Sequence, residues 1–445
     1  MALNLNRKLS FFGGVRLPHL KNTAYCETMK MGIPEKIILP MSQHTGAPCK
    51  PVVEKGDPVS IGQIVGEAQG FVSSPVHSSV SGVVTGIGSI MFPNGQMVET
   101  VEIDPDNKQT VYAGIKPPVI ETKEQFIAAV RASGLVGLGG AGFPTHVKLS
   151  PPEGKEPDTL IINGAECEPF ITSDYREMLE NASGILEGIK LTMKMLKIGQ
   201  AIIAIEDNKP DAIELLKKTA WFTDGVKVAV LRSRYPQGAE KMLINAVTGR
   251  KVPPGGLPHD VKAHVLNVNT VAFIASYART GMPLIKKRVT IDGEAVARPK
   301  NIEALIGTRA SDVFAFSGGF KKECAKILMG GPMMGLALYT ADMPVMKYTN
   351  ALIALDAESA AQPEESACIR CGRCVFSCPV NLMPLHINNL IARRNFELLE
   401  KYNPADCIEC GSCSYVCPAK RHLVQSIQLA KAEMKRVNDF NGGKG

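Results

Sequence analysis

Two cysteine runs of one spacing constrain this chain more than anything else in it. Cys368-Ile-Arg-Cys371-Gly-Arg-Cys374-Val-Phe-Ser-Cys378-Pro379 and Cys407-Ile-Glu-Cys410-Gly-Ser-Cys413-Ser-Tyr-Val-Cys417-Pro418 both read C-x2-C-x2-C-x3-C-P. In such a run three thiolates wrap one face of a cubane, and the fourth, set off by three residues and followed by proline, serves the other cluster of a pair. Cys368, Cys371, Cys374 and Cys417 are therefore expected to hold one [4Fe–4S] cluster, and Cys407, Cys410, Cys413 and Cys378 the second. Structural zinc takes its four ligands as two separated pairs, which is not this pattern. Eight of the twelve cysteines fall in this stretch, in a long chain with no export signal. That argues against a disulfide scaffold and for metal binding in a reducing cytoplasm.

The spacer 379–406 is longer than in a compact small ferredoxin. Ile387, Leu390 and Ile391 fall at helical spacing, Leu398 and Leu399 follow, and Asn388 and Asn389 are expected on the polar face. An α-helical ferredoxin domain with two clusters is predicted over 356–445, closing on a surface helix at Leu423–Val437.

With 445 residues the chain exceeds one core, and three or four domains are expected. Hydrophobic content of 45% and charged content of 21% are those of an ordinary globular protein. The net charge of +7 is spread along the chain with no dense Lys/Arg stripe, which speaks against nucleic-acid binding. Met1–Leu20 has no apolar h-region. The longest uncharged stretch, Ala68–Val98, is interrupted by Ser, Pro and Gly and is not apolar enough to insert. Membrane contact is expected to be indirect, through partners.

Residues 1–115 read as short strands between Gly, Pro and Ser turns, a barrel-sandwich module of lipoyl-like pattern. A lysine at the hairpin tip would carry a covalent cofactor; Val76 and His77 stand there instead, so a purely structural module is expected. From 116 the texture changes. Thr122 and Gln125 form a capping box, with a helix through Arg131. Strands at Thr159–Asn163, Ile202–Ile205 and Val226–Leu231 alternate with helices at Asn181–Lys197, Lys209–Lys218 and Gly238–Thr248, a Rossmann-like α/β domain over 116–284. Residues 285–355, with Arg288–Ile291 before the Asp292-Gly293 turn, a helical stretch at Ile302–Ile306 and the Gly330–Gly335 turn, read as a β-grasp (SLBB-type) module. The fold class is thus multidomain α/β plus β. Cys26, Cys49, Cys167 and Cys324 read as buried thiols.

Gly137-Leu-Gly139-Gly140-Ala-Gly142 satisfies G-x-G-x-x-G, but a helix precedes it and Phe143-Pro144-Thr145 follows, so it is not a Rossmann first turn. It remains a stretch where backbone N–H groups approach an anion or a flat ring without Cβ interference, with Lys148 six residues beyond. Read alone it is equally a plain glycine turn. Asn163-Gly-Ala-Glu166-Cys-Glu168-Pro169 places two acids directly after a strand, where α/β sheets bind ligands; the bland reading is a solvated turn. Gly238-Ala-Glu240-Lys241 and Asn267-Val-Asn269-Thr270 follow.

With these residues assembled, Gly134–Lys148 resembles the flavin loop of the NADH-binding flavoprotein subunit of respiratory complex I, and Asn163–Pro169 resembles that family's acidic loop. Nearly the whole chain is similar to the C subunit of the Rnf ion-pumping electron-transport complex, from Phe12-Gly-Gly-Val15 through Pro75-Val-His77 to both cysteine runs. The resemblance implies non-covalent FMN and NADH oxidation. It implies that Gly137, Gly139, Gly140 and Gly142 line the FMN, with Lys148 near its phosphate. Asn163, Glu166, Asn267 and Thr270 would hold the flavin, and Glu168 and Glu240 would face NADH. The chain departs from the complex I pattern at Ala165, at Ala239 and at Pro151, which stands where an aromatic packs on the nicotinamide; Phe170 is the candidate substitute.

NADH gives up two electrons together and a cluster accepts one at a time, so a flavin between them is chemically required. Glu168 and Lys148 are the candidate catalytic-site residues, Glu168 as an orienting acceptor rather than a base. The expected partners are NADH and other subunits of a membrane complex, including a ferredoxin-type subunit, with the chain peripheral on the cytoplasmic face. Two other readings are a soluble relative such as a cobalamin reductase and a flavin-free electron-wiring scaffold.

Overall fold

The computed structural model describes residues 8–442. Its centre is a parallel sheet of four strands in the order Val226–Leu231, Gln200–Glu206, Thr159–Gly164, Ala263–Asn267. Thr159–Gly164 and Gln200–Glu206 are buried almost throughout, as parallel strands covered on both faces should be, with Ile161, Ile203, Ile205 and Leu266 in the core. In chain order the strands lie 3-2-1-4. The order therefore reverses between Thr159–Gly164 and Ala263–Asn267, and the crevice beyond the carboxyl ends of these two strands is where such folds bind ligands. The helices Ala182–Leu196, Pro210–Ala220 and Glu240–Thr248 form where the alternation predicts them. The capping box is present, with the Gln125 N–H donating to Thr122 Oγ1 at 3.2 Å.

The barrel-sandwich module is built on the antiparallel order Ile37–Pro40, Met97–Pro105, Gly82–Met91, Pro58–Val59, with a small second sheet carrying Val76–His77. His77 is buried, and burial holds its imidazole neutral with a pKa of about 3. The chain before Ile37 makes its strand pairings outside these two sheets. Leu9 bridges Leu231, Val15 bridges Tyr235, and Met29–Lys30 adds an edge strand beside Ile302 and Glu303.

The β-grasp body is a sheet of six strands with the helix Ala310–Phe316 packed on it. The helix expected at Ile302–Ile306 is instead a strand, Lys300–Leu305, antiparallel to Lys286–Asp292. Its residues favour helix locally, but Ile302 and Ala304 fall at period two and enter the core beside Val289 and Ile291, so pairing overrides propensity.

The last body is helical: Arg373–Phe376, Pro384–Ala392, Ser412–Tyr415 and Leu423–Gly442 around Ile387, Leu399, Ile427 and Ala430. Asn389 is exposed as expected, but Asn388 is buried, donating to Ser426 Oγ at 2.7 Å and accepting from Arg421 at 3.1 Å. Two polar residues of the long terminal helix and its approach give it partners inside, which the helical pattern alone does not show. Among the described residues no helix is long and apolar enough to cross a membrane.

Candidate functional site

A cleft of about 720 Å³ opens at the switch point of the parallel sheet, within the usual range for cofactor sites. The glycine loop, the acidic loop and the 235–241 loop form its walls, and the β-grasp body closes it with the 329–336 turn and Tyr348–Asn350.

The glycine loop is pinned from three sides. The Leu138 N–H donates to Thr270 Oγ1 at 3.0 Å, and the Leu138 carbonyl accepts from the buried Lys287 at 3.0 Å. A Cβ at Gly139 would stand 3.1 Å from the Asn267 amide. Gly142 lies at φ +63°, where a Cβ would meet the Tyr348 ring at 2.9 Å. Among the described residues the N–H groups of Gly139, Gly140, Ala141 and Gly142 donate to no protein acceptor. A run of unpaired backbone donors at a cleft wall suits an anion such as a phosphate, so the loop fits the group the sequence implies.

The structure brings the expected polar residues to this cleft but occupies most of them. Asn163 donates to the Gly238 carbonyl at 2.9 Å and accepts from the Ala165 N–H at 3.0 Å, tying two walls together. Asn267 caps the helix Val268–Thr280 and donates to Asp174 at 2.6 Å. The Glu166 carboxylate accepts from the Asp174 N–H at 2.7 Å, at the N-terminus of the helix Ser173–Glu180. Burial lifts its pKa to about 7 against the pull of Lys21. Glu168 accepts from the Met333 and Met334 N–H groups at 3.0 and 2.9 Å, joining the acidic loop to the β-grasp turn, and burial lifts its pKa to about 7 as well. Lys148 and Glu240, 92 positions apart, form an ion pair at the cleft.

Phe170 does not replace the missing aromatic. It is buried in a core with Leu328 and Ile353, away from the cleft; the aromatic rings at the cleft belong to Phe143, Tyr235 and Tyr348. Sequence reasoning missed Asp174, which accepts from both Asn267 and Asn269, and Lys287 opposite it. Thr172-Ser173-Asp174 at a helix start was the available signal. Of the other thiols, Cys49 is buried, Cys26 and Cys324 are half-buried, and Cys167 is half-buried on the cleft.

In the helical body Cys368, Cys371, Cys374 and Cys417 line one cavity, with Leu385 and Leu423 beside them. Cys407, Cys410, Cys413 and Cys378 form the other set. Burial raises the Cys407 thiol to about 11, and the nearness of Cys410 and Cys378 adds to the rise. Each run turns through a left-handed glycine, Gly372 at φ +75° and Gly411 at φ +78°. The sulfurs accept backbone N–H bonds at matching places, Arg370 to Cys368 at 3.4 Å and Glu409 to Cys407 at 3.3 Å. Among the described residues no three His, Cys, Asp or Glu side chains converge as a single-ion site. A cubane is ligated at four separate iron corners, so its thiolates do not converge on one point. Cys368 and Cys371 are exposed, whereas Cys378, Cys410, Cys413 and Cys417 are buried. Ile408 lines the cleft itself, and Cys410 packs with Tyr235 and Val15.

Four family models match the chain: a RnfC barrel sandwich hybrid domain over 9–108, a Nuo51 FMN-binding domain over 130–276, an SLBB domain over 288–337 and a 4Fe–4S dicluster domain over 367–420. Among relatives, the C subunit of the proton-translocating ferredoxin:NAD(+) oxidoreductase complex of Clostridium ljungdahlii is 45% identical over 98% of this chain and 96% of its own length. The Na(+)-translocating counterpart of Acetobacterium woodii is 46% identical over 96% of this chain and 97% of its own. The C subunit of the ion-translocating oxidoreductase complex of Rhodobacter capsulatus is 40% identical over 96% and 84%. The fold class expected from the sequence, with its flavin and dicluster domains, stands. With identity at this level over nearly its full length, the chain belongs to the family of C subunits of the ion-translocating ferredoxin:NAD+ oxidoreductase (Rnf) complexes.

Proposed function

We propose that the cleft binds FMN and NAD(H) together and that electrons pass between it and an outside carrier through two clusters, the inner held by Cys407, Cys410, Cys413 and Cys378 and the outer by Cys368, Cys371, Cys374 and Cys417. The observation that carries this reading is the contact between the two sites: Ile408 lines the cleft and Tyr235 packs against Cys410.

Bound FMN supplies a centre that exchanges two electrons with NADH and single electrons with a cluster, chemistry no side chain here provides. The chain's own residues position and shield. The free N–H groups of Gly139–Gly142 receive the phosphate, with Lys148 as a cation lining the same cleft. Thr270 and Lys287 hold the loop's backbone still, and Asn163, Asn267 and Asp174 fix the strand ends beneath it. Glu168 acts as a positioning residue, because its carboxylate holds the β-grasp turn across the cleft. Glu240, held by Lys148 at the cleft wall, is the acceptor that faces the nucleotide. The outer cluster is the exit. Its rim carries exposed Ile369 and Phe376 beside Arg370 and Arg373, a surface that suits an acidic ferredoxin-type partner. The family's complexes translocate ions, and no helix among the described residues can span a membrane; on this reading the chain works peripherally, on the cytoplasmic face where NADH is found.

The test is anaerobic purification with iron and flavin quantitation, followed by an NADH-reduction spectrum. About one FMN and eight iron per chain, with cluster bleaching by NADH, is the expected result. Zinc in place of iron, or clusters that stay oxidised with FMN fully loaded, defeats the reading.

A further inference from the structure

Phe12-Gly-Gly-Val15 is a sequence feature the functional reading leaves unused. In the structure it belongs to a strap that touches, in order, the inner cluster's loop, the cleft wall and the acidic loop. The Gly14 N–H donates to the Ser377 carbonyl at 2.8 Å. Val15 and Tyr235 exchange backbone hydrogen bonds at 2.7 and 2.9 Å. The Phe170 N–H donates to the His19 carbonyl at 3.1 Å. The Lys21 ammonium then donates to the carbonyls of Glu166 at 3.0 Å, Glu168 at 2.8 Å and Ile171. Both glycines sit at positive φ, +81° and +73°, and neither has room for a side chain. A Cβ on Gly13 would stand 2.8 Å from the Cys378 carbonyl oxygen, and one on Gly14 2.4 Å from that of Tyr235.

We propose that this strap is a spacer anchored at both ends, in which Gly13 and Gly14 fix the separation between the cleft and the inner cluster and Lys21 positions the acidic loop. It rests on the functional reading above. The physical argument is one of distance. Electron tunnelling falls steeply with separation, and the two backbones the glycines touch carry a cluster ligand, Cys378, and the ring between cleft and cluster, Tyr235. Adding a methyl group at Gly14 forces the Tyr235 backbone and the strap apart by about 1 Å and crowds the Phe11 ring, since ordinary contact begins near 3.4 Å. Lys21 acts at the other end. Its three carbonyl bonds set the acidic loop, so its loss alters nucleotide binding instead of the step to the cluster.

The experiment uses the full chain loaded with FMN and iron. Rapid mixing with NADH follows flavin and cluster bleaching separately, and hydrogen exchange is read at peptides covering 233–238 and 376–379. Gly14→Ala is expected to keep its flavin and iron content and its flavin-bleaching rate. Its cluster bleaching slows severalfold, as tunnelling over an added distance near 1 Å does, and both peptides exchange faster. Lys21→Met is expected to show the opposite split, a raised KM for NADH with the flavin-to-cluster step unchanged. Arg16→Ala, exposed on the same strap, changes neither. The proposal is overturned if Gly14→Ala matches the parent in both rates, or if its two rates slow in proportion with unchanged exchange. Should Gly14→Ala fail to retain iron, Lys21→Met decides, and an unaltered KM overturns the proposal. A parent whose clusters never bleach defeats the functional reading; the exchange data then judge the strap alone, and unchanged protection in Gly14→Ala overturns it.

Discussion

Tyr235 lines the nucleotide cleft and shares one buried apolar cluster with Cys410, a ligand of the inner cysteine set. This contact orders the two sets. Replacing Cys410 with alanine should stop NADH from reducing either cluster, because the outer set has no such contact with the cleft. Replacing Cys371 should leave the inner cluster reducible and remove only the outer signal. Electron paramagnetic resonance of the NADH-reduced variants checks this, and an outer cluster that still reduces in Cys410→Ala contradicts the order.

Lys148 and Glu240 neutralise one another across the cleft. Lys148→Met removes the cation and leaves an unpaired carboxylate where phosphate must approach. FMN retention should fall and the KM for NADH should rise by roughly tenfold, about 1.4 kcal/mol, while iron content is unchanged. Glu240→Gln should raise the KM with FMN retained. Flavin release on denaturation and NADH titration measure both.

Gly142 adopts φ +63° against the Tyr348 ring. A β-branched residue there is strained and crowded at once, at a cost of about 1–3 kcal/mol. Gly142→Val should purify with its iron but with little flavin, whereas Gly154→Val, in open space at φ +80°, should keep its flavin. Flavin-to-iron ratios separate the two.

Glu166 and Glu168 are both lifted to about 7, with burial the main cause. An acid whose folded pKa lies above its unfolded value adds stability at low pH and loses it as pH rises through the folded pKa. Between about pH 5 and 7 these two acids therefore pull the melting temperature down, while His44, His77 and His264, whose imidazoles burial holds below the usual range, pull it up. Comparing Glu168→Gln with the parent isolates one acid, worth roughly 3–4 kcal/mol at most for a shift of two to three pH units. The variant should gain in melting temperature on the parent as pH rises across this window, and a difference that stays flat or falls contradicts the sign.

Much of the fold and site is legible in the sequence, for physical reasons that differ by element. Cubane ligation needs fixed spacing along a chain, so the eight cysteines announce themselves. Buried parallel strands are short apolar runs between helical patterns, and Thr159–Gly164 and Gln200–Glu206 read that way. Other features depend on partners far away in sequence. Lys300–Leu305 becomes a strand only because Lys286–Asp292 pairs with it. Phe170 carries the right chemistry for a nucleotide wall, yet its left-handed backbone, φ +68°, turns it into the core. Lys21 acts through long-range hydrogen bonds that no local pattern marks, and Thr172-Ser173-Asp174 marks a helix start but not the bonds Asp174 accepts from Asn267 and Asn269. Glu166 and Glu168 are legible as acids of the site, but not as ties within it.

The β-grasp body forms one wall of the cleft, and that has a consequence for biogenesis. The ribosome finishes the glycine loop at Gly142 roughly 190 residues before it reaches the Gly330–Gly335 turn. At 5–20 residues per second the nascent pocket stands open on that side for about 10–40 seconds. Prosthetic-group capture is thus deferred until the chain is nearly complete, and a truncated product emerges from synthesis colourless.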